Sequence, residues 1–352
     1  MRRDEIGSEY WKASIEAQSL LPWDSWVGDK RFYVSGRTAL DSILRDLLLE
    51  RSCKNACIPS FCCESMILPF IKNGLSIFFY PVTCLNGYLF ADLTKIPKVD
   101  IVLTIDYFGF DKTDQTLCPK DVVIIEDATH SLFGKEKKEN TSYCFASLRK
   151  WGPISGAAVA AKRENEFVLP RENKQHTKFI TKREIGYTQK SRYIYNECDY
   201  KAHYLDTFSS AEALLDNDNN GYAADPNSMA VFGAIATSDM IEKRRENVAF
   251  LLEALYGLQC VHPLFSVLKP DTCPLFFPVI VEKDRRNALQ AFLRRNEVYC
   301  PIHWPLTCHH TINKEEMYLY EHSLSLLCDQ RYTTKNMQRQ VSLIEEFERT
   351  YA

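Results

Sequence analysis

No apolar run in the 352-residue chain approaches the ~20 residues that a membrane-crossing helix needs, so no membrane span is expected. The opening Met1-Arg2-Arg3-Asp4 leads into polar sequence, and no signal peptide is expected there. A large charge excess is also missing. The 43 Lys and Arg nearly balance 46 Asp and Glu, and a net charge of -3 offers no bulk attraction to nucleic acid or to acidic lipid. CxxC pairs are absent, and the adjacent Cys62 and Cys63 have poor geometry for sharing a metal. His309 and His310, near Cys308 and His303, lack ligand spacing and read as a polar loop rather than a metal cluster. The loop from Asp216 to Gly221 lacks the glutamate that closes an acidic calcium site, so no metal is expected there either. What the chain does have is cysteine. Thirteen, odd in number and irregularly spaced, with Cys57, Cys144 and Cys300 inside apolar runs, suggest buried thiols in a reducing compartment, the cytoplasm.

With 45% hydrophobic residues, the chain can bury a large core. Residues 1–33 are aromatic-rich and irregular, and read as an arm packed across a surface. Leu40, Ile43, Leu44, Leu47 and Leu48 follow the helical period. Alternation then sets in. Ala56 to Ile58 reads as a strand and Cys62 to Lys72 as a helix. Ser76 to Tyr80, Asp100 to Ile105 and Asp121 to Glu126 read as further strands, apolar on both faces as buried parallel strands are. Lys135, Lys137 and Lys138, interrupted by Glu136 and Glu139, read as a solvated loop. The stretch 168–220 gives a poor signal, although Tyr187, Tyr193, Tyr195, Tyr200 and Tyr204 would either line a sugar site or form a packing face. Met229 to Tyr256 reads as one long helix. Beyond it come strands at Leu275 to Val281 and Val298 to Trp304, with helices at Asp284 to Asn296 and Lys335 to Glu348. The expected organisation is an arm (1–33), a large α/β domain (34–245) and a small α+β domain (246–352), the first sheet mostly parallel.

Ligands gather beyond the carboxyl ends of strands in such sheets, and three chemistry-bearing segments fall there. Gly36, Arg37 and Thr38 open the helix. Bare N–H groups, the helix dipole and the arginine would hold an anion, or the segment is an ordinary N-cap. Asp127 ends a buried strand, where a carboxylate is costly unless partnered; it caps the next helix or pairs with a ligand cation. Lys150 follows the run Tyr143 to Ala146 into a small-residue turn, either as a solvated strand end or as an amine suited to capturing an aldehyde, if burial lowers its pKa.

These segments, in this order, resemble the DegT-type sugar aminotransferases, pyridoxal phosphate (PLP) enzymes of the aspartate-aminotransferase fold (fold type I). SGRTAL is similar to the family's phosphate loop, IPSFCCESMILPFIKNG to its proline-serine segment, and TIDYFGF to its histidine-x-x-glycine strand end. IEDATHSLFG, FASLRKWGPISGAAVA, DPNSMAVFGAIATSDMIEKRRENVAFL, and VYCPIHWP with SLLCDQRYTTKNM extend the resemblance to the C-terminus. It implies that Lys150 holds PLP covalently and serves as general base, and that Asp127 partners the pyridine nitrogen. It further implies His130 against the ring, Gly36, Arg37, Thr38 and Ser147 at the phosphate, and Asn227 reaching the phosphate of a second subunit in a homodimer with shared active sites. His303 and Trp304 would meet the sugar, although His303 also reads as an ordinary strand-end histidine. The implied reaction moves an amino group from an amino acid, glutamate by expectation, to a keto group of a nucleotide-linked sugar. Three departures stand out. Cys63 occupies the place of a ring-stacking aromatic, so either Phe61 or another aromatic substitutes or the stacking is lost. Ser147 precedes Lys150 by three residues instead of the family's five. Ser155-Gly156-Ala157-Ala158 lacks the family's glutamate. The alternative is a PLP-binding homologue that does not transaminate, either dehydratase-like, although such relatives carry histidine in place of the lysine, or a regulatory or scaffold protein.

Overall fold

A computed structural model describes residues 3–7, 9–12, 21–85, 88–110, 113–134, 140–218, 220–235, 238–282 and 285–351. The charged loop expected at 135–139 lies outside them. The chain is mixed α/β, with a mostly parallel sheet of seven strands, a three-stranded antiparallel sheet and flanking helices. No described helix is long and apolar enough to cross a membrane. Two compact units are interleaved along the sequence. One takes residues 1–5, 9–52 and 142–237, and the other 6–8, 53–141 and 238–352. This differs from the consecutive division expected at 33 and 245.

In the first unit, Ala158–Lys162 pairs antiparallel with both Asp29–Tyr33 and Tyr143–Ser147. The Asp29–Tyr33 strand falls within the segment that reads as an irregular arm, because its charged first half hides the alternation that Phe32 and Tyr33 begin. Helix Gly36–Glu50 buries Leu40, Ile43, Leu44 and Leu47, as its periodicity requires. Beneath it, the Lys162 ammonium contacts Asp46 at 2.9 Å and Glu50 at 2.6 Å, and the Tyr143 hydroxyl donates to Asp46. The poorly signalled stretch forms two helices, Thr177–Ile194 and Lys201–Asn217. Tyr187 packs edge-on to Phe208 with centroids 5.2 Å apart, and Tyr193 meets Tyr204 at 5.5 Å. Gly186 permits this approach, since a Cβ there would stand 2.7 Å from the Phe208 ring. Tyr187, Tyr193 and Tyr204 are thus packing residues, while Tyr195 and Tyr200 are exposed. The near end of the chain is anchored through charge. Glu5 is buried between Lys190, at 3.0 Å, and Lys201, at 2.6 Å.

In the second unit, parallel pairs join Asn55–Pro59 to Ser76–Tyr80, Asn55–Pro59 to Ile101–Ile105, and Ile101–Ile105 to Val123–Asp127. All residues of the last two strands are buried, which is why they read as unbroken apolar runs. The antiparallel sheet orders Val261–Pro263, Phe277–Val281 and Ser323–Leu326. Helices Ser238–Ala254, Arg286–Arg295 and Thr334–Tyr351 belong to the same unit. The expected strand to Trp304 stops at Tyr299, two residues before Pro301, which has no N–H for a ladder. Ile6–Gly7 pairs parallel with this short strand. The long helix expected from Met229 is two helices, Pro226–Ile235 and Ser238–Ala254.

Candidate active site

Six of the expected site residues, Gly36, Arg37, Thr38, Ser147, Lys150 and Asn227, lie in the first unit. Phe61, Cys63, Asp127, His130, His303 and Trp304 lie in the second. Each set has its own geometry.

In the first unit, Ser35 caps helix Gly36–Glu50, its hydroxyl accepting from the Thr38 N–H at 3.2 Å. The Thr38 hydroxyl is 2.9 Å from that of Ser35. Capping consumes one orphan donor and leaves others, since the N–H groups of Gly36 and Arg37 have no partner among the described residues. The Arg37 guanidinium pairs with Asp216 at 2.7 Å through one terminal nitrogen, and its Nε is buried without a partner. The segment is thus an N-cap that still presents unpaired N–H groups at the helix start. Gly36 lies against the end of the neighbouring strand. A Cβ there would stand 3.1 Å from the Ser147 Cβ, so the glycine is what lets the helix start approach the segment leading to Lys150.

Strand Tyr143–Ser147 runs directly into a 3-10 turn, Leu148–Lys150. Lys150 is exposed, so of its two readings the solvated strand end is the one observed. The reason is local: Arg149 and Trp151 turn inward, with Trp151 fully buried, and Lys150 faces the other way. Its amine carries no hydrogen bond or ion pair among the described residues, while its carbonyl accepts from the Tyr10 hydroxyl at 3.3 Å. The following turn is tight. A Cβ at Gly156 would come within 2.9 Å of Val34, and the Gly156 N–H donates to the Ser228 hydroxyl at 3.0 Å. Ser228 in turn bonds Asp225, which caps helix Pro226–Ile235, with proline at its first position as helix starts favour. Asn227 stands exposed on the first turn of that helix, without a partner among the described residues.

In the second unit, Asp127 is buried at the end of Val123–Asp127. One carboxylate oxygen accepts the Thr129 N–H at 2.8 Å, so that oxygen caps a turn in place of the expected helix. His130 is buried, and its Nδ1 accepts the Phe108 N–H at 3.1 Å. Phe108 was missed in the sequence. Its positive φ of 55°, just before Gly109, turns its N–H toward that imidazole. Trp304 lies nearly parallel to His130, with centroids 5.7 Å apart and 19° between planes, and nearly parallel to Phe108 at 6.3 Å. His303 bonds the Ser325 hydroxyl through Nδ1 at 2.8 Å and packs on Phe276 at 4.6 Å. Phe61 is fully buried among Tyr107, Tyr320 and Trp304. Cys63 instead occupies the N-cap position of helix Glu64–Lys72 without a side-chain capping bond, its Sγ 2.9 Å from the Ser65 hydroxyl. The Tyr107 hydroxyl donates to the Phe61 carbonyl at 2.6 Å. Burial, with Tyr80 and Cys62 nearby, pushes its pKa far above the ordinary range, so it remains a neutral donor.

The first unit thus offers unpaired N–H groups at a helix start and, at Lys150, an amine without a hydrogen bond or ion pair among the described residues. The second offers a buried carboxylate beside an aromatic cluster that contains His130. Among the described residues, no group of three or more His, Cys, Asp or Glu could hold a metal ion.

No family model matches the chain, and no curated protein matches it by sequence. Solved structures do. The chain is similar to Helicobacter pylori PseC, an aminotransferase involved in the biosynthesis of pseudoaminic acid, at TM-score 0.68 and 11% identity, covering 94% of this chain and 90% of that one. It is similar to Spr1654 from Streptococcus pneumoniae, titled a sugar aminotransferase, in its PLP form, at TM-score 0.62 and 12% identity, covering 91% and 87%. It is also similar to a DegT DnrJ EryC1 StrS aminotransferase from Brucella abortus, at TM-score 0.59 and 13% identity, covering 92% and 86%. The chain has the fold of these sugar aminotransferases over nearly its whole length.

Proposed function

We propose that the protein is a PLP-dependent aminotransferase that moves an amino group from an amino acid, glutamate first among candidates, to a keto group of a nucleotide-linked sugar. The observation that carries this reading is the unpaired Lys150 amine at the end of the strand against which the anion cradle of Gly36 and Arg37 is packed. The similar structures support it through their fold and through the PLP form of one of them.

When bound, PLP supplies an electron sink that lets the Cα–H bond of an amino acid ionise. The chain's own residues do the rest. The N–H groups of Gly36 and Arg37, the buried Arg37 Nε and the Ser147 and Thr38 segment bind the phosphate. Lys150 would hold the cofactor through its aldehyde carbon, and its Nζ would serve as the base for the Cα proton. The Asp127 carboxylate would keep a proton on the pyridine nitrogen, and His130 would pack against the ring. His303 and Trp304 meet the sugar. Asn227, exposed at its helix start, completes the phosphate site of a second copy, which makes the protein an isologous homodimer. Thirteen free thiols suit the reducing cytoplasm.

The test is spectroscopic. Purified protein with PLP should show a chromophore that glutamate bleaches, and borohydride should fix the cofactor on Lys150. Lys150→Ala should fold and lose the adduct. An adduct on Lys174 or Lys178 instead would sink the assignment. A chromophore that no amino acid bleaches would favour the non-transaminating alternative. A panel of nucleotide keto-sugars with mass detection of an amine then names the acceptor. Sedimentation as a monomer at micromolar concentration, with PLP still tightly held, would remove Asn227 from the site.

A further inference from the structure

Lys150 is exposed, yet the residue before it is tied down more firmly than a turn residue needs to be. The Arg149 guanidinium is largely buried, pairs with Glu212 and lies over the Phe179 ring at 5.0 Å. Glu212 also pairs with Arg183 at 3.2 Å, and Arg183, almost wholly buried, bonds Glu9 at 3.1 Å and the Tyr187 hydroxyl at 2.6 Å. Tyr187 donates to the Ile154 carbonyl at 3.0 Å, so the same network holds the chain on both sides of Lys150. Burial pushes the Glu212 carboxyl up, but Arg149 and Arg183 pull it down further, and the net shift is downward, so Glu212 stays charged. The Nε atoms of Arg149 and Arg183 are both buried without a partner, and each such donor costs stability.

Resting on the reading of Lys150 given above, we infer that Arg149 and Glu212 are positioning residues, which hold the Leu148–Lys150 turn so that the amine is presented to the bound aldehyde. The covalent step they serve is a condensation. Neutral Nζ adds to the aldehyde carbon, a C=N bond forms, and the aldehyde oxygen leaves as water with the two protons of the amine. No oxidant or reductant is needed. Pinning the turn reduces the number of orientations the amine samples and leaves the phosphate contacts untouched.

The experiment compares Arg149→Met, Arg149→Lys and Glu212→Gln with the parent. Total PLP held, measured by equilibrium dialysis, is set against the fraction fixed by borohydride at Lys150. Arg149→Met should lower the fixed fraction at least tenfold while total binding changes less than threefold, and Arg149→Lys should restore most of it. A parental fixed fraction in both Arg149→Met and Glu212→Gln, whatever the melting temperature does, overturns the inference. Hydrogen exchange without PLP reads the pin separately. Amides of Leu148 to Trp151 should exchange about tenfold faster in Glu212→Gln, with strand Ala158–Lys162 unchanged, and no difference at the turn would overturn the inference. If the parent fixes no PLP, the aminotransferase reading fails and the exchange result alone decides whether the pin exists.

Discussion

Replacing Asp127 by asparagine tests whether its carboxylate does more than shape a turn. Asparagine keeps the side-chain oxygen that accepts the Thr129 N–H at 2.8 Å. That bond changes from charge-assisted to neutral, a loss of about 1 kcal/mol. Removing an anion from a buried strand end offsets part of this loss. For a chain of this length, a net change of about 1 kcal/mol moves Tm by about 2 °C. PLP affinity should fall only a few fold, because the Gly36 and Arg37 cradle and Lys150 are untouched. The chemical step should suffer far more. Withdrawing one buried electrostatic contact from developing charge costs about 2.7–4 kcal/mol, a rate factor of about a hundred to a thousand. Single-turnover bleaching of the chromophore by glutamate, or by whichever donor proves active, measures it, with thermal melting alongside. A variant that bleaches within threefold of the parental rate would leave Asp127 as the turn-former its bond to Thr129 shows, and the proposed role at the ring nitrogen would be wrong.

Other outcomes follow from the same contacts. Glu5→Gln removes the carboxylate 3.0 Å from the buried Lys190 ammonium and should destabilise the protein by about 3 kcal/mol in urea titrations. Burial pushes the Glu5 carboxyl up while Lys190 and Lys201 pull it down further, to a net position below its ordinary 4.5. Its stabilisation is therefore complete above about pH 4.5 and lost as pH falls through the folded value, and the Gln variant should lack that part of the acid slope. Trp304→Ala removes a ring packed on Phe61, Phe108 and His130, and should cost about 3 kcal/mol and change the near-UV circular dichroism; an unchanged spectrum would mean that the cluster is not formed in solution. At pH 8, the exposed Cys308 should react with a thiol reagent well before Cys57, Cys62, Cys260, Cys273, Cys300 and Cys328, which are all buried. Burial raises the thiols of Cys57 and Cys300 to about 12 and that of Cys273 to about 11.

What was legible in the sequence is what repeats. The strands Ile101–Ile105 and Val123–Asp127 are buried on both faces, so their apolar runs stand out within a residue or two of their true bounds. Helix Gly36–Glu50 announces itself through a serine cap and a leucine stripe. Strand Asp29–Tyr33 does not, because Arg31 spends its charge on Asp29 inside the fold and looks like surface sequence. The helix pair around Tyr187 and Tyr204 was obscure for a similar reason, with buried Arg183 and Lys190 interrupting its apolar face. At the site, residue identity could be read but direction could not. Lys150 and Arg149 are adjacent cations, and only packing decides which of them turns inward. Interleaving of the two units was invisible, since composition barely changes at residues 52 and 142.

The parallel pairing of Ile6 with Val298 has a consequence for biosynthesis. The strand Ile6–Gly7 is synthesised roughly 290 residues before Val298–Tyr299, the strand it pairs with. The segments of the first unit are all synthesised by residue 237, so that unit can close while the C-terminal third is still being made. The second unit cannot, because its parallel strands are made before residue 142, whereas the antiparallel sheet and the partner of Ile6 come after residue 260. During that interval its apolar strands depend on chaperones or on speed of elongation, and a pause placed between residues 142 and 238 would lengthen their exposure and lower the yield of soluble protein.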